Sequence, residues 1–308
     1  MITVAAILGP TASGKSRLGI DLALRMNGEI LSIDSRQAYR RIDIGTAKPS
    51  AEERSLVPHR LIDILDLEEK SDAQKFAMLA HAALRDAASR GKLPILVGGS
   101  GLYFRAIERG LFDIRLEAAD RIAFAESIRD VSNESLHGRL QALDPESALR
   151  IHRNDRYRLV RALEVRELTG TSLSEHVRRR RLDPSREEIA FVKIGLDIER
   201  GKLHRNIAER AKRMFERGWA GEVERLLAEG ADPEWPGMKT LGYPQVLSHV
   251  RGEVRLDETV ERVSELTRQY AKRQVTWFRK EPSMHWLMAG ENGLIEAAAE
   301  LFERRGSG

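Results

Sequence analysis

Residues Gly9 to Ser16 read GPTASGKS, a fit to G-x-x-x-x-G-K-[ST], and the stretch before them, Thr3 to Leu8 (TVAAIL), is continuously apolar. This order of apolar run, glycine-rich turn and lysine restricts the fold more than any other feature of the chain. A short continuous apolar run fits a strand buried on both faces of a parallel sheet. Ser16 to Met26 (SRLGIDLALRM) then places Leu18, Leu22 and Met26 at helical spacing. Between a strand and a helix, the glycines let successive backbone N–H groups point inward at one anion. The positive end of the helix and the Lys15 charge add to that field, and the Ser16 hydroxyl can ligate a phosphate-bound Mg²⁺. A bland Gly/Ser-rich turn is the competing explanation, and the strand–helix context weighs against it.

Further segments repeat the alternation. Glu29 to Ile33 reads as a second strand ending at Asp34-Ser35, Asp72 to Arg90 as an alanine-rich amphipathic helix, and Lys92 to Val97 (KLPILV) as a third strand broken by Gly98-Gly99-Ser100-Gly101. Strands alternating with helices predict an α/β fold with a parallel sheet. Past Phe112 the character changes. Residues 115–181 are arginine-rich with helical periods and no convincing strand, one strand returns at Ile189 to Ile198, and the pattern is helical from Leu203 onward. The expected organisation is a discontinuous P-loop core, 1–114 with 186–308, interrupted by an all-α insertion at 115–185.

The 308 residues exceed one average domain, and 42% hydrophobic with 32% charged residues describes a globular chain able to bury a core. No run approaches the roughly 18 apolar residues of a membrane-spanning helix. Met1 to Leu8 lacks a basic leader and a cleavage site, so no signal peptide is expected. With no cysteine, disulfides and thiolate metal sites are excluded, and a cytoplasmic setting is expected. The eight histidines show no metal-ligand spacing. A net charge of +4 permits nucleic-acid binding without requiring it.

Asp34 follows the second strand. Ligands of parallel sheets bind at the carboxyl ends of strands, where the glycine-lysine loop also lies, so Asp34 is a candidate general base or metal ligand. A turn or helix cap is its structural alternative. In many P-loop NTPases a later strand ends in a metal-binding Asp. Here Ile95-Leu96-Val97 runs into glycines, which weighs against phosphoryl transfer. Arg150, Arg153, Arg156, Arg158, Arg161 and Arg166 crowd one helical region, and Arg178 to Arg181 are consecutive. Such clusters meet phosphate backbones, or form solvated faces. Leu256 to Lys280 reads as a helix whose Val260, Val263, Tyr270 and Trp277 are expected to pack in the core.

GPTASGKS, SIDSRQAY (Ser32 to Tyr39), DIGTAKP (Asp43 to Pro49), PHRLID (Pro58 to Asp63), VGGSGLYF (Val97 to Phe104), NDRYRLVRALEV (Asn154 to Val165) and TRQYAKRQVTWFRK (Thr267 to Lys280) stand in this order. In that series the chain resembles the bacterial tRNA dimethylallyltransferases over almost its whole length. The resemblance implies transfer of a dimethylallyl group from dimethylallyl diphosphate to the exocyclic amine of an adenine beside the anticodon, with Mg²⁺. By resemblance, Gly9, Pro10, Thr11, Ala12, Ser13, Gly14, Lys15 and Ser16 would hold the diphosphate, helped by Arg210. Asp34 would act as base, and Asp34, Ser35, Arg36 and Gln37 would hold the target nucleotide. Ser100, Arg121, Tyr157, Arg158, Leu159, Val160, Arg161, Lys239, Thr240, Leu241, Gly242, Tyr243 and Pro244 match segments that contact tRNA. Pro244 stands where an arginine is common, and proline offers neither charge nor N–H to a phosphate. The implied partners are the tRNA anticodon stem-loop, clasped by the insertion and the basic last third, and the prenyl donor, with the protein a monomer and no membrane involved. The rival readings are an isopentenyltransferase acting on free AMP or ADP, a small-molecule kinase, and a non-catalytic RNA-binding protein.

Overall fold

The computed structural model describes residues 1–110, 116–181 and 189–306. The chain divides into two compact units, Met1–Glu108 with Glu188–Gly308, and Arg109–Glu187. The insertion boundaries expected near 114/115 and 185/186 lie outside the described residues.

The first unit is built on strands β1 (Ile2–Leu8), β2 (Gly28–Ser32), β3 (His59–Arg60), β4 (Leu93–Gly98), β5 (Ile189–Asp197) and β6 (Met284–Met288). They form one sheet in the order β3-β2-β4-β1-β5-β6. Every pairing is parallel. Val4 to Leu8 in β1 are fully buried, as the apolar run requires of a central strand. Burying each large aliphatic side chain there is worth about 1.5–3 kcal/mol. Leu8 pairs with Gly98 and Ser32 with Val97, so β1, β2 and β4 end level with one another. Three loops therefore emerge side by side at one edge of the sheet.

Helices α1 (Lys15–Arg25), α2 (Ala51–Leu56), α3 (Ala73–Ser89) and α4 (Gly101–Arg109) precede the insertion. The insertion contains α5 (Ala118–Ser127), α6 (Asn133–Leu143), α7 (Pro145–Arg150), α8 (Arg156–Thr169) and α9 (Leu173–Arg181). Helices α10 (Arg200–Glu216), α11 (Trp219–Ala228), α12 (Tyr243–Val250), α13 (Leu256–Phe278) and α14 (Leu294–Gly306) complete the first unit. Polar caps set the helix starts. Asp72 accepts from the N–H groups of Gln74 and Lys75 at 2.8 Å each, and Ser50 and Glu53 form a reciprocal capping box. Helix α1 is different: Gly14 sits at its start with φ 97° and no side-chain cap.

One core joins Ile7, Leu22, Ile95 and Ile194 from the sheet and α1 to Ala298 and Phe302 of α14. Another gathers Tyr39, Ile42, Trp219, Tyr243 and Val263. The insertion has its own, with Ile128, Leu136, Leu140, Leu159 and Leu163 fully or nearly buried. Among the described residues, no helix is long and apolar enough to cross a membrane.

Two elements depart from the sequence expectation. β6 interrupts what was read as helix throughout from Leu203. It is an edge strand with one neighbour and a mixed exposure pattern, so MHWLM carries neither alternation nor a continuous buried run. β3 is two residues long and exists through its pairing with β2.

Candidate active site

The three level loops enclose a cavity of about 250 Å³. Its lining includes Thr11, Lys15 and Ser16 from the first loop, Asp34 and Gln37 from the second, and Gly98 and Gly99 from the third, with Arg210 and Gln274 reaching in from α10 and α13. The backbone of the first loop makes this enclosure possible. Gly9 and Gly14 have φ of 149° and 97°, values that an L side chain resists. Ala12 holds a left-handed φ of 62° without that freedom, a strain of the kind that clusters at ligand sites. Because α1 lacks a side-chain cap, its first N–H groups remain available to an anion.

The loop is braced from several directions. Lys15 Nζ donates to the Pro10 carbonyl at 2.7 Å, Asn206 donates to the Ala12 carbonyl at 3.1 Å, and the Thr11 N–H donates to Gln274 Oε1 at 2.9 Å. The Ser13 hydroxyl is buried without a hydrogen-bond partner. A buried polar atom without a partner is costly unless a ligand supplies one.

Charge in the cavity is lopsided. Burial lowers the Lys15 amine to about 7, Arg210 pushes it the same way, Asp34 opposes, and Arg36 lowers it further. Burial together with repulsion from Arg36 brings the Arg210 guanidinium down to about 10, against the opposing pull of Asp34. Lys15, Arg36 and Arg210 all interact with the Asp34 carboxylate, and the cavity lining adds Lys48 and Arg217 against Glu53, so basic side chains outnumber acidic ones. Among the described residues no three His, Asp or Glu side chains gather to hold a metal. A divalent ion here would be held by ligand oxygens, with the Ser16 hydroxyl as the protein's contribution.

Asp34 is half-buried, and one of its oxygens accepts from the Arg36 N–H at 2.9 Å. The same oxygen lies 3.5 Å from Arg36 Nε. It thus serves as a turn brace, as its structural alternative held, and also lines the cavity. Arg36 stacks on the Tyr270 ring, 4.4 Å from its centroid. Gln37 is fixed at both ends of its amide, accepting from the Ser32 hydroxyl at 2.8 Å and donating to the Ala47 carbonyl at 2.9 Å. Ser100 Oγ accepts from the Ser35 N–H at 3.3 Å. The expected residues of the first and second loops, Ser100 and Arg210 therefore come together.

Gly98 and Gly99, at the end of β4, leave no room for a metal-binding carboxylate. A Cβ at Gly98 would strike the Ile33 backbone, and one at Gly99 would strike the Gln274 amide. Asp197, at the end of β5, faces another cavity of about 640 Å³, lined also by Leu196, His204 and Trp286, which contains neither Asp34 nor Lys15.

Segment Lys239 to Pro244 is mixed. Lys239 and Pro244 are exposed, and Lys239 pairs with Glu234 at 2.6 Å. Thr240 and Leu241 are half-buried. Gly242 and Tyr243 are buried; Tyr243, expected among the tRNA contacts, instead packs in the core, its hydroxyl donating to Glu222 Oε1 at 2.6 Å. Pro244 occupies the first turn of α12, where a missing N–H loses nothing.

In the insertion, Tyr157 is 82% exposed, Arg158 is exposed beside Asp155 at 3.1 Å, and Val160 is half-buried. Leu159 is fully buried, so its side chain packs the insertion core and cannot reach RNA. Arg121 and Arg161 both pair with the buried Glu164. Burial pushes that carboxyl up, and the two guanidiniums outweigh burial and hold it below the ordinary range. Arg156 donates to the carbonyls of Ile128 and Val131, at 2.7 and 2.6 Å, and so is structural. Arg178 is exposed; the side chains of Arg179 to Arg181 lie outside the described residues.

Sequence reasoning missed Asn206, Glu222 and Gln274. It also placed Tyr270 and Trp277 in the core as packing residues, whereas each ring faces a guanidinium, Trp277 lying 4.5 Å from Arg105. Val263 is core as expected.

Comparisons with known proteins identify the family. The family model described as IPP transferase matches residues 37–281. A tRNA dimethylallyltransferase of Geobacter metallireducens is 45% identical over 288 residues, covering 91% of each chain. One of Desulforudis audaxviator is 41% identical over 297 residues, covering 96% of this chain and 95% of its own. Among solved structures, a tRNA isopentenylpyrophosphate transferase of Bacillus halodurans is similar with TM-score 0.72 and 35% identity, covering 100% of this chain and 99% of its own. A eukaryotic dimethylallyltransferase acting on tRNA is similar with TM-score 0.78 and 27% identity, covering 98% of this chain and 78% of its own. The chain belongs to the IPP transferase family, together with the tRNA dimethylallyltransferases.

Proposed function

We propose that this protein transfers a dimethylallyl group from dimethylallyl diphosphate to the exocyclic amine of an adenine next to the tRNA anticodon, releasing diphosphate. The observation that carries the reading is the single cavity in which Lys15, Ser16 and Arg210 face Asp34. The donor's C1–O bond breaks and its electron pair leaves with the diphosphate. The uncapped start of α1, Lys15 and Arg210 stabilise that growing charge, and preorganised donors of this kind are worth about 2.7–4 kcal/mol each. A Mg²⁺ bound by the diphosphate and the Ser16 hydroxyl would neutralise part of the same charge. The amine nitrogen forms the new bond to C1, and its proton passes to the Asp34 carboxylate. Gln37, which lines the cavity beside Asp34, would border the base. The exposed Tyr157, Arg158 and Lys239 are the residues offered to RNA. Exposed ion pairs such as Arg158–Asp155 contribute only about 0–1 kcal/mol, so exchanging Asp155 for a phosphate costs little.

The glycine-filled end of β4 disfavours the kinase reading. The exposed basic residues of the insertion favour tRNA over free AMP, because a mononucleotide has no use for them. Incubation with labelled dimethylallyl diphosphate, Mg²⁺ and either unmodified tRNA or AMP tests the assignment. Label in tRNA adenine is the expected result; label in AMP, or none in either acceptor, refutes it.

A further inference from the structure

One face of α13 meets all three loops that border the cavity. Tyr270 lies under Arg36 of the second loop. Four residues on, Gln274 is buried and uses both ends of its amide: Oε1 accepts from the Thr11 N–H at 2.9 Å, and Nε2 donates to the Gly99 carbonyl at 2.8 Å. The partners fix the orientation of the amide, since an N–H can face only the oxygen and a carbonyl only the nitrogen. Trp277 follows, and Gly101 has no room for a Cβ beside its indole. Spacings of four and three keep these side chains on one helical face.

The Gln274 bridge continues toward the acidic side. Beyond Gly99, the Ser100 N–H donates to the Ile33 carbonyl at 3.3 Å, and Ser100 Oγ accepts from the Ser35 N–H at 3.3 Å. Asp34 lies between those two residues in the chain. A hydrogen-bonded path thus runs from Thr11 in the anion cradle, through Gln274 and the Gly99–Ser100 turn, to the backbone on both sides of Asp34. Packing alone does not call for an amide here. Burying one is unfavourable unless it is fully bonded, and an apolar side chain of similar volume would fill the same space.

We infer that Gln274 is a positioning residue for the transfer reaction, setting the phosphate loop and the Asp34 loop at a fixed separation. The inference rests on the proposed reading that the loop holds a diphosphate. Because Gln274 occupies the Thr11 N–H, the donors left to an anion lie further along the loop, from Ser13 to Ser16. Gln274 lines the cavity, but both ends of its amide are taken by Thr11 and Gly99, so it acts through the two loops rather than as a ligand donor.

The test uses the full chain, well below its melting temperature. Calorimetry reads the Kd of inorganic diphosphate with Mg²⁺, and steady-state assays read the KM of each substrate and kcat. Gln274→Met removes both hydrogen bonds. It should weaken diphosphate binding and raise the donor KM by about tenfold or more, the scale expected when a buried donor and acceptor are orphaned, with the Kd for tRNA held within about twofold. Gln274→Glu keeps the acceptor for Thr11 but sets an oxygen against the Gly99 carbonyl; it should shift the same quantities in the same direction, and it supplies the answer if the methionine variant does not fold. Phe278→Leu perturbs the fully buried end of the same helix and should leave diphosphate binding unchanged. Unaltered diphosphate affinity in both Gln274 variants overturns the inference, as does an equal loss in Phe278→Leu. Wild-type protein that fails to bind diphosphate refutes the cradle reading itself, a separate outcome.

Discussion

Lys15 shares its cavity with Arg210 and Asp34, and burial, with Arg210 and the neighbouring Arg36 outweighing Asp34, brings its amine to about 7. Under the proposed function, diphosphate in the cradle would add negative charge and raise it again. The sign follows from linkage. At about pH 8 the free amine is mostly neutral, so binding takes up a proton there, and affinity falls as pH rises through the free-state value. Calorimetry of diphosphate binding in EDTA at about pH 8, in two buffers of different ionisation enthalpy, should register more proton uptake by the wild type than by Lys15→Met, the difference cancelling the ligand's own ionisation. Equal proton uptake by the two proteins contradicts the assignment. In the proposed reaction Asp34 is the base. Asp34→Ala should lower turnover by about 10²–10⁴-fold, the range for a lost general base, while tRNA binding is largely kept. Near-normal single-turnover rates in that variant remove Asp34 from the mechanism.

The elements that hold these residues reach them over long sequence distances. Glu222 of α11 is 2% exposed and accepts from the N–H groups of Asp43 and Ile44 at 2.8 Å each, and from the Tyr243 hydroxyl. Burial and this carboxylate together raise the Tyr243 phenol well above its ordinary value. The clamped 43–47 loop in turn supplies the Ala47 carbonyl that fixes Gln37. Glu222→Leu orphans these donors and should destabilise the fold by about 2–4 kcal/mol, measured by urea denaturation. An unchanged midpoint would show that the loop is held by packing alone. This network also marks what the sequence could reveal. Lys15 and Asp34 were legible because each belongs to a short local pattern at the end of an apolar strand. β1 and β4 were legible because they are buried, which leaves a continuous apolar run; β2 and β5 were legible from the apolar residues around a single buried charge each, Glu29 and Lys193. Gln274 bonds backbone atoms 263 residues away, and a backbone partner leaves no signature in composition or spacing. Leu159 and Tyr243 sit inside segments read as RNA contacts, yet the helical period turns them inward.

At the scale of the molecule the small net charge of +4 conceals an uneven distribution. The insertion carries Arg153 and Arg158 on exposed positions beside an exposed Tyr157, and the core unit carries an exposed Lys239 near the start of α12. If these meet phosphates, the Kd for tRNA should weaken by about tenfold or more between about 50 and 200 mM salt, whereas a flat response removes the electrostatic interface. Arg158→Ala should weaken tRNA binding and reduce that salt slope, with diphosphate affinity unchanged. The central claim, that one loop grips the departing diphosphate while Asp34 manages the attacking nitrogen, is tested most directly by a crystal structure with an anticodon stem-loop and a non-hydrolysable thio analogue of the donor. The account predicts the diphosphate enclosed by Gly9 to Ser16 and the Asp34 carboxylate within about 2.6–3.2 Å of the adenine amine. A diphosphate bound elsewhere, or an Asp34 turned away from the base, would contradict it.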